Sequence, residues 1–322
     1  MNIFITGASG FAGGAAAAAL TQAGHDVKAM ARSQASAEKI RSLGAEPVMC
    51  ALESVCAQDL DGCEAVVHYA AFVEKWGTRQ QFWEANVDGT ERLLKAARDA
   101  GVRRFVHIST EVALFHGQHM RDVDETYPYA ENTPYLYGET KREAEKRALA
   151  ANDPESDFSV VVIRPKMIWG PGDTTVLPTV REMVQKGEFM WMDGGRWITS
   201  TTHVANLTHG VRLALATDRH GEVFFITDEG TRSFREFLTA LLATEGLTPP
   251  NKSIPGWLGR ALAYIVEGVW NLFKIRKEPP LTRYVAAAMS RDCTININKA
   301  KQELGYEAVM TVGEGLDQLS KN

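Results

Sequence analysis

Tyr137 and Lys141 carry the clearest chemistry in this 322-residue sequence. The run Tyr137-Gly138-Glu139-Thr140-Lys141 sits in a helical pattern that follows Thr133-Pro134. Residues four apart share a helix face, so the spacing sets a phenol beside an ammonium group. A phenol with a pKa of about 10 is a poor acid–base catalyst near neutrality, and a nearby cation lowers that value. A drop of about three units requires roughly 4 kcal/mol, which Lys141 together with an oxidised nicotinamide ring could supply. The pair is thus expected to move a proton on a carbonyl or alcohol. The motif also arises by accident, so it gains weight only from what surrounds it.

The surrounding signal is a glycine loop. The apolar strand Ile3–Thr6 runs directly into Gly7-Ala8-Ser9-Gly10-Phe11-Ala12-Gly13, which opens a helix. The first glycine permits the tight turn, the second lets the backbone approach a pyrophosphate, and the third lets helix and strand pack closely. The free N–H groups and partial positive charge of a helix N-terminus favour phosphate there. Gly7, Ser9, Gly10, Phe11 and Gly13 are therefore read as dinucleotide-binding. An acid at the end of the second strand would bond a ribose 2′-hydroxyl, but the sequence offers Met30-Ala31-Arg32-Ser33. Arg32, with Lys39 in the helix beyond, suits a 2′-phosphate, so NADP(H) is the expected cofactor and NAD(H) the alternative.

These residues need a scaffold, and the first half supplies one. Near-continuous apolar runs at 2–6, 27–31, 46–50, 65–69, 104–109 and 159–164 read as strands covered on both faces. Helical patterns at 11–23, 36–43, 79–100 and 134–151 fall between most of them. The alternation predicts an α/β fold, a Rossmann-type doubly wound parallel sheet. After Pro165 the pattern changes: a turn cluster at Gly170-Pro171-Gly172-Asp173, a helix near 178–187, short β structure at 189–200, a helix at 203–217, a strand at 222–227, and helices near 232–245, 257–275 and 298–304. The expectation is a dinucleotide-binding domain over 1–168, to which 203–228 return, and a smaller C-terminal α/β substrate-binding cap from 169–202 and 229–322.

Composition is that of an ordinary globular protein, with 45% hydrophobic and 23% charged residues. A net charge of −5 without a basic face gives no sign of a nucleic-acid partner. Cys50, Cys56, Cys63 and Cys293 form no CxxC pair and read as free thiols of a reducing compartment. With no basic N-terminal region before a long apolar run, a cytoplasmic location is expected. His116 and His119 form an HxxH in an expected solvated loop, with no third ligand in sight, so no metal is expected. His68 is expected at a strand end near the cofactor, in a structural role or, as the alternative, a chemical one. Of the seven tryptophans, Trp76, Trp83, Trp169, Trp191, Trp197, Trp257 and Trp270, several are expected to wall a cleft for a bulky apolar substrate.

Taken in order, Thr6-Gly7-x-x-Gly10-x-x-Gly13, Val66-Val67-His68-Tyr69-Ala70-Ala71, Asn86-Val87-Asp88-Gly89-Thr90, His107-Ile108-Ser109-Thr110, Tyr137-x-x-x-Lys141 and Arg164-Pro165 before Trp169-Gly170-Pro171-Gly172-Asp173 resemble the extended short-chain dehydrogenase/reductase (NAD-dependent epimerase/dehydratase) family. Ser109-Thr110-Glu111-Val112, Thr201-Thr202-His203-Val204-Ala205-Asn206 and Phe224-Phe225-Ile226-Thr227-Asp228 are most similar to its 3β-hydroxysteroid dehydrogenase-like branch. The resemblance implies Tyr137 as acid–base, Lys141 as its pKa tuner and ribose ligand, and Thr110 on the substrate oxygen, with Ser109 its rival. It also implies Ala70 and Ala71 along the dinucleotide, the backbone around Pro165 and Ile168 at the nicotinamide amide, and a homodimer. Cys50-Ala51-Leu52 lacks the acid many relatives set against adenine. The leading function is a dehydrogenase or reductase for a hydrophobic hydroxyl or ketone, sterol-like or long-chain. The alternatives are a sugar-nucleotide epimerase or dehydratase and a non-enzymatic NAD(P)-sensing protein. Dehydratases carry adjacent Asp and Glu after the Thr, whereas Glu111 is followed here by Val112.

One further segment, 257–275, is apolar except for Arg260, Glu267 and Lys274, seven apart and so on one stripe. Three charges make a membrane span costly. The reading taken is a helix packed into the cap as a lid over the substrate; the alternative is peripheral contact with a membrane surface.

Overall fold

A computed structural model describes residues 1–74, 76–275 and 277–321. Seven parallel strands form the main sheet in the order Glu222–Ile226, Ser159–Pro165, Arg104–Ile108, Ala65–His68, Asn2–Thr6, Asp26–Ala31 and Glu46–Met49. Their apolar runs are buried on both faces because helices cover both sides. Strand order reverses between Asn2–Thr6 and Ala65–His68, which opens a crevice at their carboxyl ends. The alanine helix Phe11–Gln22 lies close on the sheet, with Ala16 and Ala17 fully buried.

Two elements differ from the expected pattern. The single helix expected over 79–100 is a short helix Arg79–Trp83, a π-helical turn Glu84–Asp88 and a helix Gly89–Asp99. The wide turn buries Asn86, which accepts from Phe72 N at 2.6 Å and donates to Thr140 Oγ1 at 3.0 Å. It thereby ties the segment after Ala71 to the Tyr137 helix. The second difference is a four-stranded sheet with the order Arg232–Ser233, Ile198–Thr199, Cys293–Ile295, Met120–Val123. Residues 120–123, placed by the sequence wholly in the nucleotide half, thus pair into the second sheet.

The two halves meet at Asp228, a buried carboxylate that accepts from Trp169 Nε1 (2.8 Å), Thr201 Oγ1 (2.7 Å), His203 N (2.6 Å) and Asn206 Nδ2 (2.8 Å). Asn206 in turn bonds both N and O of Met310. Trp169 and Trp191 are fully buried beyond it in the core of the second half, with Phe189 and Phe237.

Asp228→Ala leaves three buried donors without an acceptor and Asn206 Nδ2 with only Met310 O, and should cost roughly 3 kcal/mol or more of unfolding free energy. Asp228→Asn keeps one oxygen and should recover part of the loss. Denaturant titration of both variants checks this, and an alanine variant as stable as the parent contradicts it.

Candidate active site

The candidate residues converge at the carboxyl ends of the first, fourth, fifth and sixth strands of the chain order. Gly7 has φ +76, and a Cβ there would lie 2.9 Å from Ala70 N. A Cβ on Gly13 would lie 2.4 Å from Gly7 O, so helix and loop touch as the spacing predicts. Helix Phe11–Gln22 begins at Gly10 with no side-chain cap, leaving its first N–H groups to whatever occupies the loop. Across the crevice Ala70 N donates to Thr6 Oγ1 at 3.0 Å. This uncapped cradle, which any side chain would fill, fits a dinucleotide pyrophosphate. Arg32 and Lys39 are both exposed at the end of the second strand and on the following helix. Pro165 ends the sixth strand, and Ile168 pairs in a short ladder with Thr202.

Helix Leu136–Ala150 carries Tyr137 and Lys141. It is locked by Glu145, which receives Arg164 in a fully buried ion pair and accepts from Ser109 Oγ and, at 2.7 Å, from Tyr129 Oη. Arg164 lies between the rings of Tyr129 (5.4 Å) and Phe225 (5.3 Å). Ser109 thus spends its hydroxyl proton on Glu145. Thr110 donates to Glu111 at 2.7 Å while accepting from Val112 N at 3.3 Å.

Lys141 is buried and donates to Ile108 O at 2.6 Å. Burial lowers its pKa to about 8, with Glu145 opposing. In the chain alone the Tyr137 phenol is pushed up, by burial first and by Glu111 second; the expected lowering drew on Lys141 together with an oxidised nicotinamide ring. Lys141 donates to a backbone carbonyl.

The partner of Glu111 lies far along the chain, where no spacing points to it. Lys166, directly after the sixth strand, reaches it at 2.9 Å with both side chains buried. Burial alone would lower the lysine pKa, but Glu111 outweighs it and holds it above its ordinary value. Glu111, Lys166, Phe115, Tyr284, Arg291 and Cys293 line a small cavity with room for about one water. Phe115 stacks on Tyr135 at 5.6 Å, and Tyr284 meets both edge-on, at 6.3 and 5.6 Å. These three rings form an aromatic cluster beside the cavity. Trp169 and Trp191 are core, and Trp257 is 65% exposed.

His68 bridges Thr6 Oγ1 (2.7 Å) and Thr90 Oγ1 (2.9 Å). Burial, with Lys141 second, lowers its pKa to about 3, so it is a neutral structural residue. His119 is not simply solvated: it accepts from Asp292 N at 3.1 Å and packs 4.9 Å from Trp197. No group of three or more His, Cys, Asp or Glu that could hold a metal occurs among the described residues.

Comparison with known proteins agrees with this geometry. Residues 4–255 match the model of the 3-beta hydroxysteroid dehydrogenase/isomerase family. A 4-hydroxy-2-methyl-3-oxo-4-farnesyl-3,4-dihydroquinoline-1-oxide ketoreductase from Stigmatella aurantiaca is 40% identical over 321 residues, 99% of this chain and 96% of that one. A 2-alkyl-3-oxoalkanoate reductase from Stenotrophomonas maltophilia is 32% identical (99% and 98%), and a decarboxylating sterol-4-alpha-carboxylate 3-dehydrogenase from Dictyostelium discoideum 30% (99% and 99%). A UDP-glucuronic acid 4-epimerase from Bacillus cereus, solved with NAD, has the same fold at TM-score 0.76 and 19% identity, covering 100% and 99%.

The buried lysine gives a pH signature. Its folded pKa of about 8 lies below the unfolded value, so the burial penalty is fully present below pH 8. The penalty is relieved as pH rises from there toward about 10.5, because the unfolded chain holds the proton longer. Relative to Lys141→Met, the parent should therefore gain on the order of 2–3 kcal/mol of stability across that window. Parallel denaturant titrations at several pH values check the sign; a difference independent of pH contradicts it.

Proposed function

Because the chain belongs to the 3-beta hydroxysteroid dehydrogenase/isomerase family, within the short-chain dehydrogenases and reductases, we propose that it reduces a ketone on a bulky hydrophobic substrate to the alcohol, with Tyr137 as proton donor and NADPH as cofactor. The chain is a nicotinamide-dinucleotide-dependent oxidoreductase. The observation that carries the reading is helix Leu136–Ala150, which sets Tyr137 and Lys141 one turn apart at the carboxyl ends of the sheet strands, with Lys141 bonded to Ile108 O. Two relatives, named for a ketoreductase and a 3-oxoalkanoate reductase, support the direction of reduction.

When bound, the reduced dinucleotide supplies the hydride. The rest is the work of this chain's residues. Gly7, Ser9, Gly10, Phe11 and Gly13 hold the pyrophosphate on the uncapped helix, while Ala70, Ala71, Pro165 and Ile168 border the dinucleotide along the strand ends. Arg32 pairs with the 2′-phosphate. Tyr137 Oη protonates the substrate oxygen, and the phenolate left behind is stabilised by the Lys141 ammonium one helical turn away. Thr110 spends its proton on Glu111 and so offers a lone pair, which fits the hydroxyl of the product. Phe115, Tyr135 and Tyr284 offer an apolar wall suited to farnesyl-, alkyl- or sterol-sized groups of the kind named in the relatives. In this division of labour the seven-stranded half holds the dinucleotide, and the part built from 169–202 and 229–322 holds the substrate. The sugar-nucleotide reading has only a likeness of fold behind it.

Tyr137→Phe keeps the ring and removes the proton donor. Turnover of a bulky ketone should fall by about 10² to 10⁴ with NADPH binding nearly intact. Stopped-flow turnover and fluorescence titration together test this, and an unchanged kcat rules Tyr137 out as the acid. Arg32→Asp exchanges a phosphate partner for a hydroxyl partner and should move the preference from NADPH toward NADH. A parent enzyme that already binds NADH the more tightly would show the cofactor assignment to be wrong.

A further inference from the structure

Helix Gly256–Leu272 is built inside out. The lid expected from the sequence would bury its broad apolar surface; the structure instead turns Arg260 and Glu267 inward and leaves that surface exposed, with Lys274 beyond the helix end. Glu267 is buried and paired with Arg283, and Arg260 bonds Ser290 Oγ at 2.8 Å. The inward face is completed by Gly256, Gly259 and Ala263, small enough to let the helix lie close. The opposite arc is left facing outward. Trp257, Tyr264, Ile265 and Leu272 fall on one stripe, with Leu262, Val269 and Phe273 along its flank. Of the twelve large apolar side chains that stand exposed among the described residues, seven lie between Trp257 and Phe273. Leu272 is 76% exposed and Tyr264 67%. Apolar surface gathered in this way marks a contact site.

Charge and geometry point to one occupant. The molecule carries a net charge of −5, yet Lys274 and Lys277, just beyond the end of this helix, are exposed. An apolar arc with a basic end and aromatic residues at Trp257, Tyr264 and Phe273 has the chemistry of an interfacial helix on anionic lipid. No helix among the described residues is long and apolar enough to cross a membrane, so the contact is in-plane. The face also adjoins the candidate site. Its inner side grips helix Arg283–Ala288, which carries Tyr284 of the aromatic cluster, and Ile275 O accepts from Trp76 Nε1 at 3.1 Å in the segment after Ala71.

We propose that the outward face of Gly256–Leu272 docks on the surface of an anionic phospholipid bilayer, holding the substrate entrance against the lipid in which an apolar substrate dissolves. The docking itself needs no substrate, so it is tested separately from turnover. The full chain, without substrate, is mixed with vesicles of phosphatidylglycerol and phosphatidylcholine, or of phosphatidylcholine alone, and floated on a density gradient. It should float with the anionic vesicles, more weakly with the neutral ones, and less as salt rises. Ile265→Glu with Leu272→Glu should weaken partitioning by roughly a hundredfold or more, with the unfolding midpoint and NADPH affinity unchanged. Failure to float at low salt overturns the proposal, as does equal flotation by the double variant. A parent that is dimeric by light scattering, does not float, and becomes monomeric on substitution assigns the face to a second copy of the chain and overturns it as well.

Discussion

Two ionised groups sealed from water, Glu145 and Arg164, hold this site together. Each taken alone out of water would cost several kcal/mol, and the pair is tolerable because each charge neutralises the other and both carboxylate oxygens take further hydrogen bonds, although Arg164 Nη1 has no partner. The guanidinium is gripped by the carboxylate and sandwiched by Tyr129 and Phe225, and the carboxylate takes further hydrogen bonds from Ser109 and Tyr129. The pair rivets helix Leu136–Ala150 to the strands Arg104–Ile108 and Ser159–Pro165. The positions of Tyr137 and Lys141 over the strand ends follow from it, as does the hydrogen bond from Lys141 to Ile108 O. Removing one partner would strand a buried charge, which is why the site tolerates no partial version of this lock.

A second buried pair, Glu111 with Lys166, works on the chemistry rather than the frame. It brings equal and opposite charge beside the phenol, but not symmetrically: the phenol responds to the carboxylate. Glu111 also takes the Thr110 proton. One carboxylate therefore sets the proton inventory of both hydroxyls, leaving one loaded and the other empty.

The parts of the molecule legible in the sequence were those written in short spacings. The Gly7–Gly13 loop, the parallel strands and the Tyr137/Lys141 turn each lie within a few residues, where local geometry dictates the outcome. Strand Met120–Val123 and helix Arg283–Ala288 carry no comparable period, because both form against partners far along the chain; Arg121 meets Asp292 171 positions away. The Glu111–Lys166 and Asp228 networks were hidden for the same reason. The helix near 257–275 shows the limit most clearly. Spacing alone placed Arg260 and Glu267 on one stripe, but which side faces the protein depended on Arg283 and Ser290 waiting to receive them. The spacing from Tyr137 to Lys141 likewise says nothing of Ile108 O or Glu111.

The four-stranded sheet has a bearing on how such enzymes diversify. Its strand Cys293–Ile295 sits between Ile198–Thr199 and Met120–Val123, so three widely separated stretches are woven into one small ladder. The part built around this sheet is therefore not a cassette that recombination can lift from one lineage and splice into another. A crossover anywhere between residues 123 and 293 would join strands that had not evolved together. New substrate ranges in this architecture are reached by successive substitutions around a retained weave, and homologues able to exchange halves should be those whose three strands still match.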